Sequence, residues 1–286
     1  MENKSIQRQI IQLLNIFSVD VVVGSIMMGL YATRILRVQD PLWWYLVLAL
    51  SVWVMYTADH LLDAVQGKED TTIERHAIHF KYRKRIIPVW IGAALVAGAI
   101  AIYKLDDEII YAGLILGLLV CIYFILLYYN RKRRPWLLQK ELFIALVYVG
   151  GIWLAPLVWH ATRPSSVVLL IIINIVLLAW AEGILVSWYE RQEDLQNSHT
   201  SFTTLFGRKA AKMFVLIILA FVVLTAGYHS LFSSFEATLK VASGIQLIMA
   251  FMLAALLFFP DRFRQNQLYR YLGELSFWLP GLILLA

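Results

Sequence analysis

The chain has little charge for its length and almost no cysteine. Of its 286 residues, 15% are charged and 60% are hydrophobic, whereas a soluble domain has about 25% charged and about 45–50% apolar residues. This imbalance excludes a water-soluble fold, because so few charges cannot cover so much apolar surface. The single cysteine, Cys121, excludes a disulfide within the chain. Lipid is therefore the expected solvent for most of the surface.

Positive charge is present but is not gathered into one patch. The net charge is +6, and the lysines and arginines lie in short segments between apolar runs. This distribution argues against a nucleic-acid partner and is typical of loops that face anionic lipid headgroups. We therefore expect membrane lipids around the protein and no bound nucleic acid.

Apolar runs recur along the whole chain. A spanning helix needs about 20 residues, and nine runs approach this length: 11–33, 42–65, 86–103, 109–129, 142–161, 166–188, 211–230, 237–259 and 268–285. The sequence therefore predicts an all-α membrane protein of nine transmembrane helices. We expect one domain over residues 1–286, with helical halves over about 11–130 and 141–260 and a final helix over 268–285.

The lysines and arginines indicate an orientation. If the N-terminus is cytoplasmic, segments on that side hold 20 of the 25 basic residues and the opposite segments hold 5. Cytoplasmic loops are enriched in basic residues, so we predict a cytoplasmic N-terminus, a C-terminus outside and a location in a bacterial inner membrane. The two longest polar connections, 66–85 and 189–209, then both face the cytoplasm.

A first acidic segment closes the second predicted helix. Asp59 and Asp63 are four residues apart, which puts both carboxylates on one helical face with Tyr56 one turn deeper. Two adjacent anions repel each other, and a charge deep in a bilayer costs about 2.5–3.5 kcal/mol or more. A divalent cation or a basic partner would offset this cost. Carboxylates together with substrate phosphates are typical ligands of Mg²⁺.

A second acidic segment closes the sixth predicted helix. Glu190 and Asp194 repeat the four-residue spacing, and Glu182 lies two turns deeper on nearly the same face. Two such pairs at one membrane surface could bind two metal ions and hold a diphosphate between them. The same connections supply cations for a diphosphate: Lys68, Arg75, Arg191, Arg208 and Lys209.

Alternatives remain open for several of these residues. Carboxylates at helix ends are often solvated and paired with loop lysines. His60 is a metal ligand, a donor to diphosphate or an interfacial residue, and His76 and His79 are expected to be loop residues. Asp20 and Glu182 lie deeper in the predicted helices, so each is either a functional acid or a member of a structural pair.

The first acidic segment resembles a motif of the UbiA superfamily of intramembrane prenyltransferases, whose members have nine helices and two Asp-rich motifs. Its first motif is roughly N-D-x-x-D-x-x-x-D, followed by Arg-Pro. Asp59 takes the Asn place, His60 the place of the first Asp, and Asp63 that of the second. Gly67 stands where the third Asp would be. Arg75 lies within one residue of the arginine of the Arg-Pro.

The second acidic segment is similar to the second motif of the same superfamily. Residues 190–194 match its D-R-E-x-D run with glutamate in the first place, and residues 201–207 match the following T-L-P-V-x-L-G stretch in spacing. Lys140 resembles a basic residue that many members have at the start of the fifth helix. The resemblance covers the whole chain in topology but two short stretches in motif.

The resemblance implies an enzyme and a set of site residues. The implied reaction is Mg²⁺-dependent transfer of a polyprenyl group from a prenyl diphosphate to a small lipophilic or aromatic acceptor, with the active site facing the cytoplasm. The implied catalytic and metal-binding residues are Asp59, Asp63, Glu190 and Asp194. The implied substrate-binding residues are Tyr56, His60, Lys68, Arg75, Lys140 and Arg191.

Two other functions stay open. Because two aspartates of the first motif are replaced, the chain is alternatively a UbiA-fold protein of altered catalysis that binds an isoprenoid lipid. A transporter would instead use Asp20 and Glu182 for ion or proton coupling. That function requires helices broken near the midplane, for which Gly150, Gly151 and Pro156 are the one sequence sign.

Ligand-dependent stability provides the first test. Mg²⁺ with a prenyl diphosphate should raise the unfolding temperature, because a ligand of the folded state stabilises it by about 2.7 kcal/mol at a hundred times its Kd. Tryptophan fluorescence of the detergent-purified chain during heating measures the shift, and the same lipid with EDTA is the control. Equal unfolding temperatures in both samples would contradict diphosphate binding.

Overall fold

The computed structural model describes residues 12–39, 41–66, 74–130, 139–160, 162–196, 200–231 and 236–285. Within these ranges every regular element is a helix, so the predicted all-α class is confirmed. The long helices are α1 (Val19–Leu36), α2 (Leu42–Gln66), α3 (Glu74–Lys104), α4 (Asp107–Asn130), α5 (Lys140–Trp159), α6 (Ser166–Gln196), α7 (Phe202–Leu231) and α8 (Ala237–Phe258). Shorter elements follow: α9 (Pro260–Arg264), a 3-10 turn (Gln265–Gln267), α10 (Leu268–Ser276) and a 3-10 helix (Leu279–Leu285).

The surface of these helices is suited to lipid. In the part of the chain that is described, 7 helices are long and apolar enough to cross a membrane: α1, α2, α3, α5, α6, α7 and α8. Large apolar side chains project outward from the helices, among them Leu95, Leu114 and Leu224, which are 69%, 64% and 72% exposed. Soluble monomers rarely expose so much apolar surface to water. The chain is therefore an integral, multi-pass membrane protein, while the count of nine helices and the orientation stay predictions.

The chain divides into two compact units. One comprises Met1–Ile26 and Pro41–Leu105, and the other comprises Met27–Asp40 and Asp106–Ala286. The first acidic segment belongs to the first unit and the second acidic segment to the second. The single domain expected from the sequence stays a prediction.

In the first unit, α2 and α3 pack side by side. The Trp90 indole of α3 donates to the Val54 carbonyl of α2 at 2.8 Å. Because α3 begins at Glu74, the connection predicted over 66–85 is largely helical, and His79 is a buried helical residue and not a loop residue. The expected loop at His79 is wrong, because α3 begins before most of its charged residues. A helix can continue past the bilayer with its charges exposed.

In the second unit, α6 is the central helix. Its residues Leu178 and Ala181 are completely buried. One turn before Leu178, the Asn174 amide donates to Gln246 of α8 at 3.1 Å, and the Thr225 hydroxyl of α7 donates to Asn174 at 3.2 Å. Hydrogen bonds between membrane helices contribute about 0.6–2 kcal/mol each, so this buried network holds α6, α7 and α8 together.

The helices around the second acidic segment are longer than predicted. The sixth run was expected to end at residue 188, but α6 continues to Gln196 and carries Glu190 and Asp194 on regular helix. The seventh was expected from residue 211, but α7 begins at Phe202. Gly207 interrupts α7 with a φ of 84° and a ψ of 163°, a conformation that is open essentially to glycine alone.

The last predicted helix is broken into short elements. The sequence predicted one helix over 268–285, which is wrong, because α10 ends at Ser276 and a 3-10 helix follows. Pro280 has no N–H to donate to the Ser276 carbonyl, so an α-helix cannot continue there. Before α10, Asn266 and Gln267 have positive φ angles of 54° and 57°. The chain turns sharply at these two residues and brings α10 against α6.

The interruption at Gly207 gives a stability prediction. Gly207→Ala should destabilise the protein by roughly 1–3 kcal/mol, because alanine rarely adopts this backbone conformation. An added Cβ would meet nothing within 4 Å, so backbone strain is the expected cost and a steric clash is not. Gly92→Ala in α3 is the matched control, since it also faces open space and should be neutral or slightly stabilising on an ordinary helix. Thermal unfolding in one detergent compares the variants. Equal unfolding temperatures for both would contradict the strain at Gly207.

Candidate functional site

The first acidic segment lies on the last turns of α2, in the first unit. Tyr56 and Asp59 are half-buried there, and His60 is buried with 4% exposure. Three predicted residues fall outside the described side chains: Asp63, Lys68 and Arg75. Their proposed roles remain predictions from the sequence.

His60 belongs to a buried group of polar and aromatic side chains. Its Nε2 lies 3.1 Å from the Ser18 hydroxyl, and its ring packs edge-on against the His79 ring at 5.2 Å. The Phe17 ring also packs on His79, with 5.9 Å between the two ring centroids. Contacts from the turn before α1 and from α3 thus orient the His60 imidazole. His60 directly follows Asp59 in the sequence.

Asp20 has a structural role at the start of α1. Its carboxylate accepts hydrogen bonds from the Asn15 amide at 2.6 Å and from the Val21 N–H at 3.0 Å. A negative charge in the first helical turn is favoured by the helix dipole and by unpaired N–H groups. The structure therefore favours a structural pairing of Asp20, one of the two alternatives left open by the sequence.

In the second unit, Glu190 is buried in an ion pair. Arg270 of α10 places Nη2 at 2.5 Å from Glu190 Oε1, and the two side chains are 6% and 7% exposed. The Tyr269 hydroxyl donates to the same oxygen at 2.9 Å. A buried carboxylate is tolerated when it is paired and hydrogen-bonded, and this arrangement meets that requirement.

Aromatic stacking and a close approach hold α10 on α6. The Tyr189 and Tyr269 rings stack at 4.2 Å and are nearly parallel, and the Tyr189 hydroxyl donates to the Leu256 carbonyl at 2.5 Å. One turn further along α10, a Cβ on Gly273 would lie 2.8 Å from Glu182 Oε1. Glu182 and Glu190 thus share the face of α6 that meets α10, as their spacing predicted.

Asp194 lies among charged residues from the start of α5. The half-buried Asp194 interacts electrostatically with Glu190, Glu141 and Lys140, and the Ser201 side chain hydrogen-bonds to it. The structure therefore brings Lys140, at the start of α5, near the second acidic segment. Glu141 accepts the Phe202 N–H of α7 at 2.6 Å, and this bond fixes the distance between α5 and α7.

Hydrogen bonds join the end of α6 to the first turn of α7. The Ser187 and Thr203 hydroxyls lie 2.9 Å apart, and Arg191 Nε donates to the Thr203 carbonyl at 3.4 Å. Further on, the Trp188 indole donates to the Arg208 carbonyl at 3.2 Å, and Arg208 Nη2 donates back to the Trp188 carbonyl at 3.3 Å. These contacts join the C-terminal end of α6 to the first two turns of α7.

The predicted ligands of Mg²⁺ differ in how well they fit a metal ion. Among the described residues, no group of three or more His, Cys, Asp and Glu side chains could hold one. Oε1 of Glu190 does not fit, because it already accepts from Arg270 and Tyr269. Asp194 fits better, since a half-buried carboxylate beside a hydroxyl is a suitable oxygen ligand.

Three residues of this site were missed in the sequence: Tyr269, Arg270 and Glu141. One signal was available, because an arginine inside an apolar run needs an acidic partner, and Arg270 interrupts the run over 268–285. That signal does not identify the partner. Tyr269 and Glu141 carry no comparable signal, since their roles depend on which helix ends meet.

Comparison with known proteins supports the fold. No family model and no curated protein matches the sequence. A solved structure of digeranylgeranylglyceryl phosphate synthase in membranes is similar, with a TM-score of 0.55 and 13% sequence identity. The similarity covers 96% of this chain and 95% of that chain. The two chains therefore share a membrane fold over nearly their full lengths.

The buried pair gives a thermodynamic prediction. Glu190→Gln or Arg270→Gln alone should destabilise the protein by about 3–5 kcal/mol, because each leaves an uncompensated buried charge. The double variant should recover most of this loss, since two neutral amides need no counter-ion. Thermal unfolding of the four proteins measures the coupling. Additive losses in the double variant would show that the two side chains are not paired.

Proposed function

We propose that this protein transfers a polyprenyl group from a prenyl diphosphate to a small lipophilic or aromatic acceptor within the membrane. The observation that carries the proposal is the whole-chain structural similarity to digeranylgeranylglyceryl phosphate synthase, whose name describes a product with geranylgeranyl groups. Further support comes from charged side chains at helix ends of the second unit: Glu190, Asp194 and Lys140. The acceptor and the length of the donor are part of what the experiments below identify.

Basic side chains are proposed to bind the diphosphate of the donor. In the second unit, Lys140 lies in the Asp194 cluster, and Arg191 donates its Nε to Thr203. A guanidinium has five N–H donors, so Arg191 can orient α7 and still contact phosphate oxygens. In the first unit, we assign the same role to Lys68 and Arg75, with Tyr56 and His60 as further substrate-binding residues.

Carboxylates are proposed to bind the Mg²⁺ that assists the release of diphosphate. Asp59 and Asp63 of the first unit and Asp194 of the second are the proposed ligands, whereas Glu190 does not fit this role. Bound Mg²⁺ would neutralise the negative charge that develops on a departing diphosphate. In the second unit, the chain's own contribution is to hold Asp194, Lys140 and Arg191 in place through the contacts among α5, α6 and α7.

Two conservative substitutions test the proposed reaction. Asp63→Asn and Asp194→Asn should each abolish Mg²⁺-dependent diphosphate release, because an amide is a far weaker metal ligand than a carboxylate. The assay measures diphosphate released from geranylgeranyl diphosphate by the protein in liposomes with a lipid extract. Asp107→Asn, at an exposed residue of α4, is the matched control and should keep full activity. Unchanged release in both test variants would refute the assignment.

Lipid mass spectrometry identifies the acceptor. Cells that contain the protein should hold a prenylated lipid that is absent when the gene is deleted and absent with Asp194→Asn. The mass difference between this lipid and its precursor gives the length of the prenyl group. Identical lipid profiles in all three strains would contradict a transferase.

A second candidate is a protein that binds an isoprenoid lipid without transferring it. The pairing of Glu190 with Arg270 favours it, because one expected metal ligand is already occupied. This candidate predicts a rise in unfolding temperature with prenyl diphosphate and no diphosphate release by the wild-type protein. A transporter has less support, since α5 runs as one helix from Lys140 to Trp159, through the residues that suggested a break.

A further inference from the structure

A positively charged side chain from α10 already lies against the second acidic segment. Arg270 and Glu190 are both buried, and Nη2 lies 2.5 Å from Oε1. The Tyr269 hydroxyl completes the group at 2.9 Å from the same oxygen and lies 3.5 Å from Arg270 Nε. The carboxylate that the sequence assigned to a metal ion is therefore held by a guanidinium and a phenol.

A guanidinium and a divalent ion compete for this carboxylate. Mg²⁺ binds carboxylate oxygens at about 2.0–2.1 Å and requires near-octahedral geometry. An ion at that distance from Oε1 would lie against the positive charge of Arg270 with little water to screen the repulsion. Occupation by Mg²⁺ would therefore require Arg270 to leave the buried site.

Arg270 is held in place by the helix that carries it. Its neighbour Tyr269 stacks on Tyr189 at 4.2 Å, and Gly273 packs so closely on α6 that a Cβ there would meet Glu182. Separation of α10 from α6 would expose the stacked rings and two buried charges, so the folded state keeps the helix that carries Arg270 beside Glu190.

We propose that Arg270 stands in for a divalent cation at Glu190, so that the second acidic segment binds no metal through this residue. Arg270 is then a positioning residue that holds Glu190 and supplies positive charge beside Glu193, with which it interacts electrostatically. The inference rests on the proposed function only in the expectation that Asp194 takes part in metal binding. The replacement of metal by arginine at Glu190 follows from the contacts themselves.

Mn²⁺ binding tests this assignment on the full chain in detergent. The free-ion signal in electron paramagnetic resonance counts the Mn²⁺ bound, with and without inorganic diphosphate. The double variant Glu190→Gln/Arg270→Gln should bind the same number of ions as the wild type, because Glu190 holds none. Arg270→Gln alone should gain one Mn²⁺ per chain, since a carboxylate is released beside Asp194, and the added Glu190→Gln should remove that gain.

Arg270→Lys is the control that keeps the positive charge, and it should gain no Mn²⁺. Loss of a bound ion in the double variant would overturn the proposal, because Glu190 would then be a metal ligand in the wild type. A folded Arg270→Gln variant that gains no ion would overturn it too. Gel filtration and thermal unfolding establish folding, and if Arg270→Gln does not fold, the double variant decides alone.

The result is separable from a failure of the proposed function. A wild-type chain that binds no Mn²⁺ and releases no diphosphate would count against the transferase. A gain of Mn²⁺ in Arg270→Gln would still support the assignment of Arg270 in that case, because the gain depends on Glu190 and not on turnover.

Discussion

The absence of water around most of this chain is the constraint on which the rest of the structure depends. In lipid, backbone groups must be satisfied within the chain, and this requirement leaves helices as the spanning elements here. Buried charges must likewise find partners. Glu190 is paired with Arg270, and Glu141 accepts a backbone N–H at the start of α7. Asp20 is bound at the start of α1 in the same manner.

The middle and the C-terminal end of α6 lie in different environments. Its middle is completely buried at Leu178 and Ala181, and there its polar contact is the satisfied amide network at Asn174. Its C-terminal end carries Glu190 and Asp194, which lie among residues of α5, α7 and α10. A buried central helix therefore positions an acidic end.

For this protein, similarity in fold to a solved structure is a separate matter from similarity in chemistry. At 13% identity to the synthase, the similarity over nearly the whole chain concerns the fold, and a fold accommodates many functions. Chemistry depends on individual side chains. Asp194 lies near Lys140, and Glu190 is paired with Arg270.

Local patterns in the sequence determined the helical class, the membrane location, and the spacing of Glu190 and Asp194 on one helical face. These features depend on hydrophobicity and on the 3.6-residue helical repeat, which a short stretch of sequence already contains. Tertiary structure alone decided that Arg270 lies against Glu190 and that His79 is buried beside His60. The reason is physical: the partner of a buried charge depends on which helices pack together, and Arg270 is 80 residues from Glu190 along the chain.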